Sequence, residues 1–158
     1  MMMTEGYDSP ESAAMEGFPP AYCRVIASRV SGDHAYVLLN TGSTVSPYLY
    51  GVNCFRKGGR WFESSSSNGP GWAGTGRGLG NLSCWGDAPE RATAVRVSFD
   101  GRAFEETVIE GAYLLVWWQV PYPSGWPAVS AFEIAGVWRS PAGHNTPANQ
   151  DPQLRGGV

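Results

Sequence analysis

The chain is poor in charge, lysine and histidine, and these shortages argue against several classes of function. Charged residues make up 16% of the 158 residues, and the net charge is −3. Proteins that hold nucleic acid usually carry a basic face, because neutralising phosphates supplies most of the affinity. We therefore expect no nucleic-acid partner. Lys57 is the single lysine in the sequence, a bias typical of GC-rich genomes that use arginine codons.

Histidine and cysteine are too few and too scattered for the common catalytic and metal sites. The two histidines are His34, beside Asp33, and His144. Neighbouring strand residues point to opposite faces, so Asp33 cannot orient His34 as a catalytic triad requires. The three cysteines lie about thirty residues apart without a Cys-x-x-Cys pair, which predicts buried free thiols in a reducing compartment. We expect no catalytic residue, metal or cofactor.

Long apolar runs and targeting segments are also lacking. The longest apolar run, residues 112–118, is too short to cross a bilayer. Residues 1–17 have neither the basic start nor the apolar stretch of a signal peptide. The sequence therefore predicts a cytoplasmic protein that does not enter a membrane.

Aromatic residues, glycine and proline are plentiful, and together they indicate an all-β fold. The chain contains 13% aromatic residues, 21 glycines and 12 prolines. Turn residues recur about every ten positions, which predicts an antiparallel β-sandwich of about nine short strands, with a barrel as the alternative. The predicted strands are 22–30, 34–40, 47–57, 60–66, 81–85, 92–99, 102–109, 112–120 and 128–138.

Two strands illustrate the patterns behind this interpretation. Residues 95–99 alternate apolar and polar side chains, so one face of that strand is expected to be buried. Asp100 and Gly101 then supply the positive φ angles of a two-residue hairpin turn. Residues 112–118 are apolar on both faces, which predicts a strand in the middle of the fold or one that pairs with a partner chain.

The two ends of the chain lack a hydrophobic period. Residues 1–20 are polar and contain proline, and we expect a flexible segment with one helical turn at 11–15. Residues 140–158 are predicted to be a flexible tail. The folded domain is therefore expected to span residues 21–139.

Aromatic residues near loops are the candidate binding groups. Trp72 lies in a glycine-rich segment, 64–80, that is too long for a simple hairpin, and long loops in compact domains are often functional. Trp85, Trp126 and Tyr122 also lie in or beside predicted loops, where aromatic rings can stack on sugars or anchor a protein partner. The competing interpretation places the seven tryptophans in the core.

Arg77 completes the candidate binding set, because it lies in the glycine-rich stretch 74–80. That stretch resembles a phosphate-binding loop. However, it lacks the Lys-Ser/Thr pair and a following helix, so nucleotide binding is not predicted.

These observations leave three hypotheses for function. The first is a non-enzymatic interaction module that forms a homodimer or binds a protein partner. The second is a carbohydrate-binding or small-ligand-binding sandwich that uses Trp72, Trp85 and Trp126 as platforms. The third is a hydrolase built on scattered carboxylates, namely Glu63, Glu105, Glu106, Glu110 and Glu133.

Three segments carry a resemblance to other proteins: HAYVLLN at 34–40, NCFRKGGRWFESSSSNGPGW at 53–72, and the stretch from WGDAP to VWW at 85–118. They resemble uncharacterised small all-β proteins of GC-rich bacteria, over about two thirds of the chain. The resemblance implies a bacterial cytoplasmic origin and an immunoglobulin-like or related sandwich. The Cys-Trp-Cys arrangement of true immunoglobulin domains is not evident, and the resemblance implies no functional residues.

Overall fold

The computed structural model describes residues 5–43, 45–67 and 69–141. The chain divides into two compact units, Met1–Asn68 and Gly69–Val158. We call them the N-terminal unit and the C-terminal unit. The predicted C-terminal tail falls on 140–158, of which residues 142–158 lie outside the described residues, as does His144.

Within the described residues, the N-terminal unit contains two short helices and four strands. In chain order these are α1 (Pro10–Met15), a 3-10 helix (Pro20–Tyr22), β1 (Arg24–Ser31), β2 (His34–Asn40), β3 (Leu49–Lys57) and β4 (Arg60–Ser67). The strands form an antiparallel sheet in the order β1-β2-β3-β4. Glycines with positive φ lie at the β1–β2 turn, Gly32, and at the β3–β4 turn, Gly58 and Gly59.

Helix α1 packs on one face of this sheet. Ser9 caps the helix by accepting a hydrogen bond from the Ser12 amide, and Pro10 occupies the first turn, where its missing N–H costs nothing. Ala13 and Ala14 are fully or almost fully buried. They join a core cluster with Cys23, Ala35, Val37, Leu39, Val52, Cys54 and Trp61. The segment 5–20, separated from the folded domain on composition, thus supplies part of this core.

The residues before α1 are tied to strand β4. The Tyr7 amide donates to the Trp61 carbonyl at 2.9 Å, and the Trp61 amide donates back at 2.8 Å. The Arg60 guanidinium pairs with the Asp8 carboxylate at 2.6 Å. Because this ion pair is largely exposed, its contribution to the free energy of unfolding is small. The reciprocal backbone pair continues the sheet by one bridge.

The described part of the C-terminal unit contains seven strands in two sheets. In chain order these are β5 (Trp72–Gly76), β6 (Leu79–Asp87), β7 (Ala92–Phe99), β8 (Arg102–Thr107), β9 (Ala112–Pro121), β10 (Ala128–Ile134) and β11 (Val137–Arg139). One sheet has the order β5-β6-β9 and the other β11-β10-β7-β8, and every pair is antiparallel.

The two sheets face each other across an apolar core. Its buried members come from both sheets: Cys84, Tyr113 and Leu115 from one, and Val95, Val97 and Phe132 from the other. The rings of Tyr113 and Phe132 meet edge to face at 5.8 Å. In β9 the neighbouring residues Leu114 and Leu115 are both buried, so both faces of that strand are covered.

The all-β prediction is confirmed, and the sandwich packing is clear in the C-terminal unit. The barrel alternative is wrong, because over the described residues each of the three sheets remains open at two edge strands. Asp100 and Gly101 have φ angles of 56° and 73°, as a two-residue hairpin turn between β7 and β8 requires.

The described residues hold eleven strands where the sequence predicts about nine. Residues 72–80, expected to be a loop, form a hairpin whose turn residues Arg77 and Gly78 have positive φ. The predicted strand 128–138 is split by a turn at Ala135 and Gly136, which also have positive φ. Alanine gives little sequence signal for such a turn, because it rarely adopts this conformation. None of the helices among the described residues is long and apolar enough to span a membrane.

Candidate functional site

Three aromatic side chains form a continuous contact cluster in the C-terminal unit. The rings of Trp72 and Tyr122 meet edge to face, with centroids 5.3 Å apart and planes at 80°. The rings of Tyr122 and Trp126 meet in the same way, at 5.6 Å and 88°. Tyr122 is 64% exposed and Trp126 is 36% exposed. We call these three residues the aromatic rim. Every one of them is a binding candidate from the sequence.

Glycines in the β5–β6 hairpin make room for the Trp72 indole. Gly74 and Gly80 pair across the two strands, and the indole lies over both. A Cβ at position 80 would lie 2.5 Å from Cε2 of the indole, and a Cβ at position 74 would lie 3.2 Å from its Cη2. An aromatic ring that covers a cross-strand glycine shields the exposed backbone. The glycine-rich composition therefore positions Trp72.

A bulge in β9 places the hydrogen-bond partner of this indole. Between Leu82 and Gly80 the pairing with β9 shifts, and Gln119 takes a φ of 52°. The buried side-chain oxygen of Asn81 accepts hydrogen bonds from the Gln119 amide and from its side-chain Nε2, both at 3.0 Å. The indole Nε1 of Trp72 then donates to the Val120 carbonyl at 3.0 Å. The bulge thus aligns the end of β9 with Trp72.

The loop that follows β9 crosses from one sheet to the other and carries the rest of the aromatic rim. Residues 122–127 link β9 in the three-stranded sheet to β10 in the four-stranded sheet. Pro121, Pro123 and Pro127 restrict φ along or beside this loop, so less conformational freedom is lost when its rings are ordered.

A pocket of about 350 Å³ lies beside this loop. It is lined by residues 120–125 together with Phe99 and Asp100 at the end of β7. Tyr122 belongs to both the rim and the pocket wall. A volume of this size is within the range of small-ligand sites. Asp100, Tyr122 and Ser124 are exposed, so the pocket opens to solvent.

The two other binding candidates do not join the rim. Trp85 lies in β6 and is 4% exposed, which leaves no ring face for a ligand. Arg77 is exposed at the tip of the β5–β6 hairpin, with a φ of 60°. Leu79, which follows that turn, pairs with Pro121, so Arg77 lies at the same end of the sheet as the loop after β9. It does not line the pocket.

The carboxylates of the hydrolase hypothesis are placed on strands and turns outside this pocket. Glu105 pairs with Arg96 at 2.8 Å on neighbouring strands, and Glu133 accepts a hydrogen bond from the Thr93 hydroxyl. Asp100 is the carboxylate that lines the pocket. Within the described ranges, no three histidine, cysteine or acidic side chains are grouped so that they could hold a metal ion.

The three cysteines are buried free thiols. Burial raises the pKa of Cys84 to about 12. The pKa of Cys54 is also raised to about 12, first by burial and then by the nearby charges of Glu63 and Glu11. Thiols held neutral in this way are poor nucleophiles, because the thiolate is the reactive form.

Of the eight residues that line the pocket, Tyr122 is a binding candidate of the sequence and the other seven, Phe99 and Asp100 among them, are not. Asp100 is identified there as a turn residue, and the Phe99 ring contacts Trp117 at 4.9 Å. Their part in the pocket depends on the crossing of the β9–β10 loop between the sheets. No local sequence pattern indicates that crossing.

Comparison of the chain with protein-family models, curated proteins and solved structures finds no match.

Proposed function

We propose that this protein is a non-enzymatic binding module whose ligand site is the aromatic rim and the adjoining pocket of the C-terminal unit. The observation that carries the proposal is the contact chain from Trp72 through Tyr122 to Trp126. Tyr122 keeps most of its surface exposed while touching both indoles. Exposed aromatic rings that are already ordered bind ligands at low entropic cost.

The pocket favours a ligand of small-molecule size or a single side chain of a larger partner. Its wall combines apolar and aromatic surface with a few polar groups, the Asp100 carboxylate and the Ser124 hydroxyl. Ligand sites commonly combine a mostly apolar surface with a small number of orienting polar groups. This composition supports the small-ligand hypothesis, carbohydrate included, over the hydrolase hypothesis.

The proposal also covers the cellular location of the protein and its macromolecular partners. We infer a bacterial cytoplasmic protein that does not act on nucleic acid, on the grounds of its composition and its mild acidity. A homodimer or a protein partner is compatible with an exposed aromatic rim, because tryptophan and tyrosine are enriched at interfaces. Light scattering on the purified protein tests the dimer, which a strict monomer at high concentration would exclude.

A thermal-shift screen tests the ligand site. The purified protein is melted with sugars, nucleotides, amines and common metabolites, beside two variants. A ligand that binds only the native state raises the melting temperature with the logarithm of its concentration. We expect a hit that Tyr122→Ala abolishes and that Tyr22→Ala preserves. Tyr22 is a matched control, because it is 68% exposed and lies in the N-terminal unit.

Hits that survive Tyr122→Ala would reject the aromatic rim as the ligand site. A screen without hits would reject the small-molecule form of the proposal and leave a macromolecular partner. In that case the same two variants are compared for binding to candidate protein partners, and equal binding by both rejects the rim altogether.

A further inference from the structure

The charge of the pocket wall distinguishes among ligand classes. The residues that line the pocket include the Asp100 carboxylate and no arginine, lysine or histidine. The Asp100 side chain has no hydrogen-bond or ion-pair partner among the described residues. A phosphate or carboxylate ligand would meet a like charge here without a compensating cation. The wall therefore favours a ligand that carries positive charge.

The angles between the rings favour a compact ligand over a flat one. Tyr122 stands nearly perpendicular to both indoles, at 80° and 88°. Tyr122 lines the pocket, and the two indoles lie beside it. A flat ring system can stack on one face at a time, whereas a roughly spherical group against Tyr122 can also touch a perpendicular face at the edge of the pocket. The faces of aromatic rings are negative, and tryptophan attracts cations most strongly.

Two arginine side chains of the C-terminal unit already lie over aromatic rings. The Arg96 guanidinium lies 4.0 Å from the ring centroid of Trp138, and that of Arg102 lies 5.4 Å from the ring of Phe104. Neither arginine lines the pocket. The Tyr122 ring, 64% exposed, is not among the rings occupied in this way.

We propose that the pocket binds a compact organic cation, a methylated ammonium group whose charge is met by the Asp100 carboxylate and by the ring of Tyr122, the residue of the aromatic rim that lines the pocket. This inference rests on the proposed function, since it names the ligand class of the same site. A quaternary ammonium has no N–H groups to satisfy, so it needs ring faces and a nearby negative charge more than hydrogen-bond acceptors. Such a group occurs in small molecules such as choline and on the trimethylated lysine of a peptide.

The test is a titration followed by tryptophan fluorescence and by NMR. The probes are choline, a peptide that contains trimethyl-lysine, the same peptide with unmodified lysine, and 3,3-dimethyl-1-butanol. The last probe has the shape of choline without its charge. We expect saturable binding of choline or of the trimethyl-lysine peptide. The tighter binder of the two shows whether the cation is a free small molecule or part of a peptide. We expect binding of the neutral alcohol to be weaker by about tenfold, the factor that corresponds to a moderate cation–π contribution.

Variants test the two parts of the site separately. Asp100→Asn keeps the turn, because asparagine tolerates positive φ, and it should weaken binding of the cation while leaving binding of the neutral alcohol unchanged. Tyr122→Ala should remove binding of both, and Tyr22→Ala should change neither.

The outcomes separate this inference from the proposed function. Equal binding of choline and the neutral alcohol, or an unchanged affinity in Asp100→Asn, overturns the cation class. A saccharide or other neutral ligand that binds in a Tyr122-dependent way, with no response to any cation, overturns this inference and keeps the binding site. Cation binding that Tyr122→Ala leaves intact overturns both.

Discussion

The two units cover the apolar faces of their sheets differently. In the N-terminal unit a short helix packs on the sheet, and Trp61 is 5% exposed within the resulting core. In the C-terminal unit two sheets cover each other, and one of the three connections that cross between them, the β9–β10 loop, carries Tyr122 and Trp126. Two sheets made from one chain are joined by connections that cross between them, and the β9–β10 loop is one of these. That loop is where the C-terminal unit places exposed aromatic rings.

Tryptophan therefore has a different role in each of the two units. Trp61 contributes mainly apolar burial, whereas Trp126 contributes surface that a ligand can cover. Substitutions in the two units should separate the free energy of unfolding from the affinity for ligands.

The largest expected effect is on the stability of the N-terminal unit. Trp61→Ala should lower the free energy of unfolding by about 3–5 kcal/mol, because it leaves a cavity in a packed core. Urea denaturation followed by circular dichroism measures this. Val30→Ala is the control, since Val30 is 55% exposed on β1 and its loss should cost no more than about 0.5 kcal/mol. Equal effects of the two variants would contradict the core position of Trp61.

Gly80→Ala should have a smaller effect on stability, and it should displace the Trp72 indole in the aromatic rim. The added Cβ would meet both the Trp72 indole and the Ala73 carbonyl oxygen at 2.5 Å. Overpacking of this kind costs about 1–3 kcal/mol. The displaced indole should also change the near-ultraviolet circular dichroism spectrum. Gly125→Ala is the stability control, because a Cβ there meets nothing within 4 Å. An unchanged spectrum in Gly80→Ala would show that the glycine does not position Trp72.

Trp126→Ala should cost still less stability. The variant loses an edge-to-face pair with Tyr122, worth about 0.5–1.5 kcal/mol, and less buried area than Trp61→Ala does, because Trp126 is 36% exposed and Trp61 is 5% exposed. Thermal denaturation beside Trp61→Ala checks this ranking. A loss as large as that of Trp61→Ala would mean that Trp126 is a core residue, which would end the contrast between the two units.

The smallest effect, and one common to both units, is a loss of stability at alkaline pH. Each unit buries a thiol whose pKa is raised from 9.0 to about 12, Cys54 in one and Cys84 in the other. Below pH 9 both the folded and the unfolded thiols are protonated, so they add no pH dependence. Above pH 9 the unfolded chain releases these protons first, and stability falls as the pH rises toward 12.

The variant Cys84→Ala isolates this contribution from those of tyrosine and lysine. The difference in unfolding free energy between the wild-type protein and the variant is measured from pH 7 to pH 10. That difference should stay constant up to about pH 9 and then change in favour of the variant. A constant difference throughout would show that the Cys84 thiol ionises as easily in the folded protein as in the unfolded chain.

The sequence predicts the strands well where apolar and polar residues alternate between turn residues, as in 92–99. The sequence does not predict the hairpin around Arg77. A run of glycines indicates neither a strand nor a loop, because the glycine backbone adopts both conformations. The sequence also separates residues 5–20 from the fold, because the contacts of Ala13 and Ala14 with the sheet are long-range and small side chains give a weak hydrophobic pattern.

The candidate site is predictable in its residues and not in its geometry. Trp72, Tyr122 and Trp126 are identified from their position near loops, but their contact depends on a bulge at Gln119 and on the loop between two sheets. Asp100 joins them from a different hairpin. Pairings of this kind are set by strand order, which composition and periodicity do not specify.

The most direct measurement of the central claim is the ¹⁵N spectrum of the indole groups during titration with the ligands of the screen and with choline. The resonances are assigned by single Trp→Phe variants. A ligand site at the aromatic rim predicts that a bound ligand shifts the signals of Trp72 and Trp126 and leaves those of Trp61 and Trp85 in place. Ligand binding that moves the Trp61 or Trp85 signals while those of the aromatic rim stay fixed would contradict it.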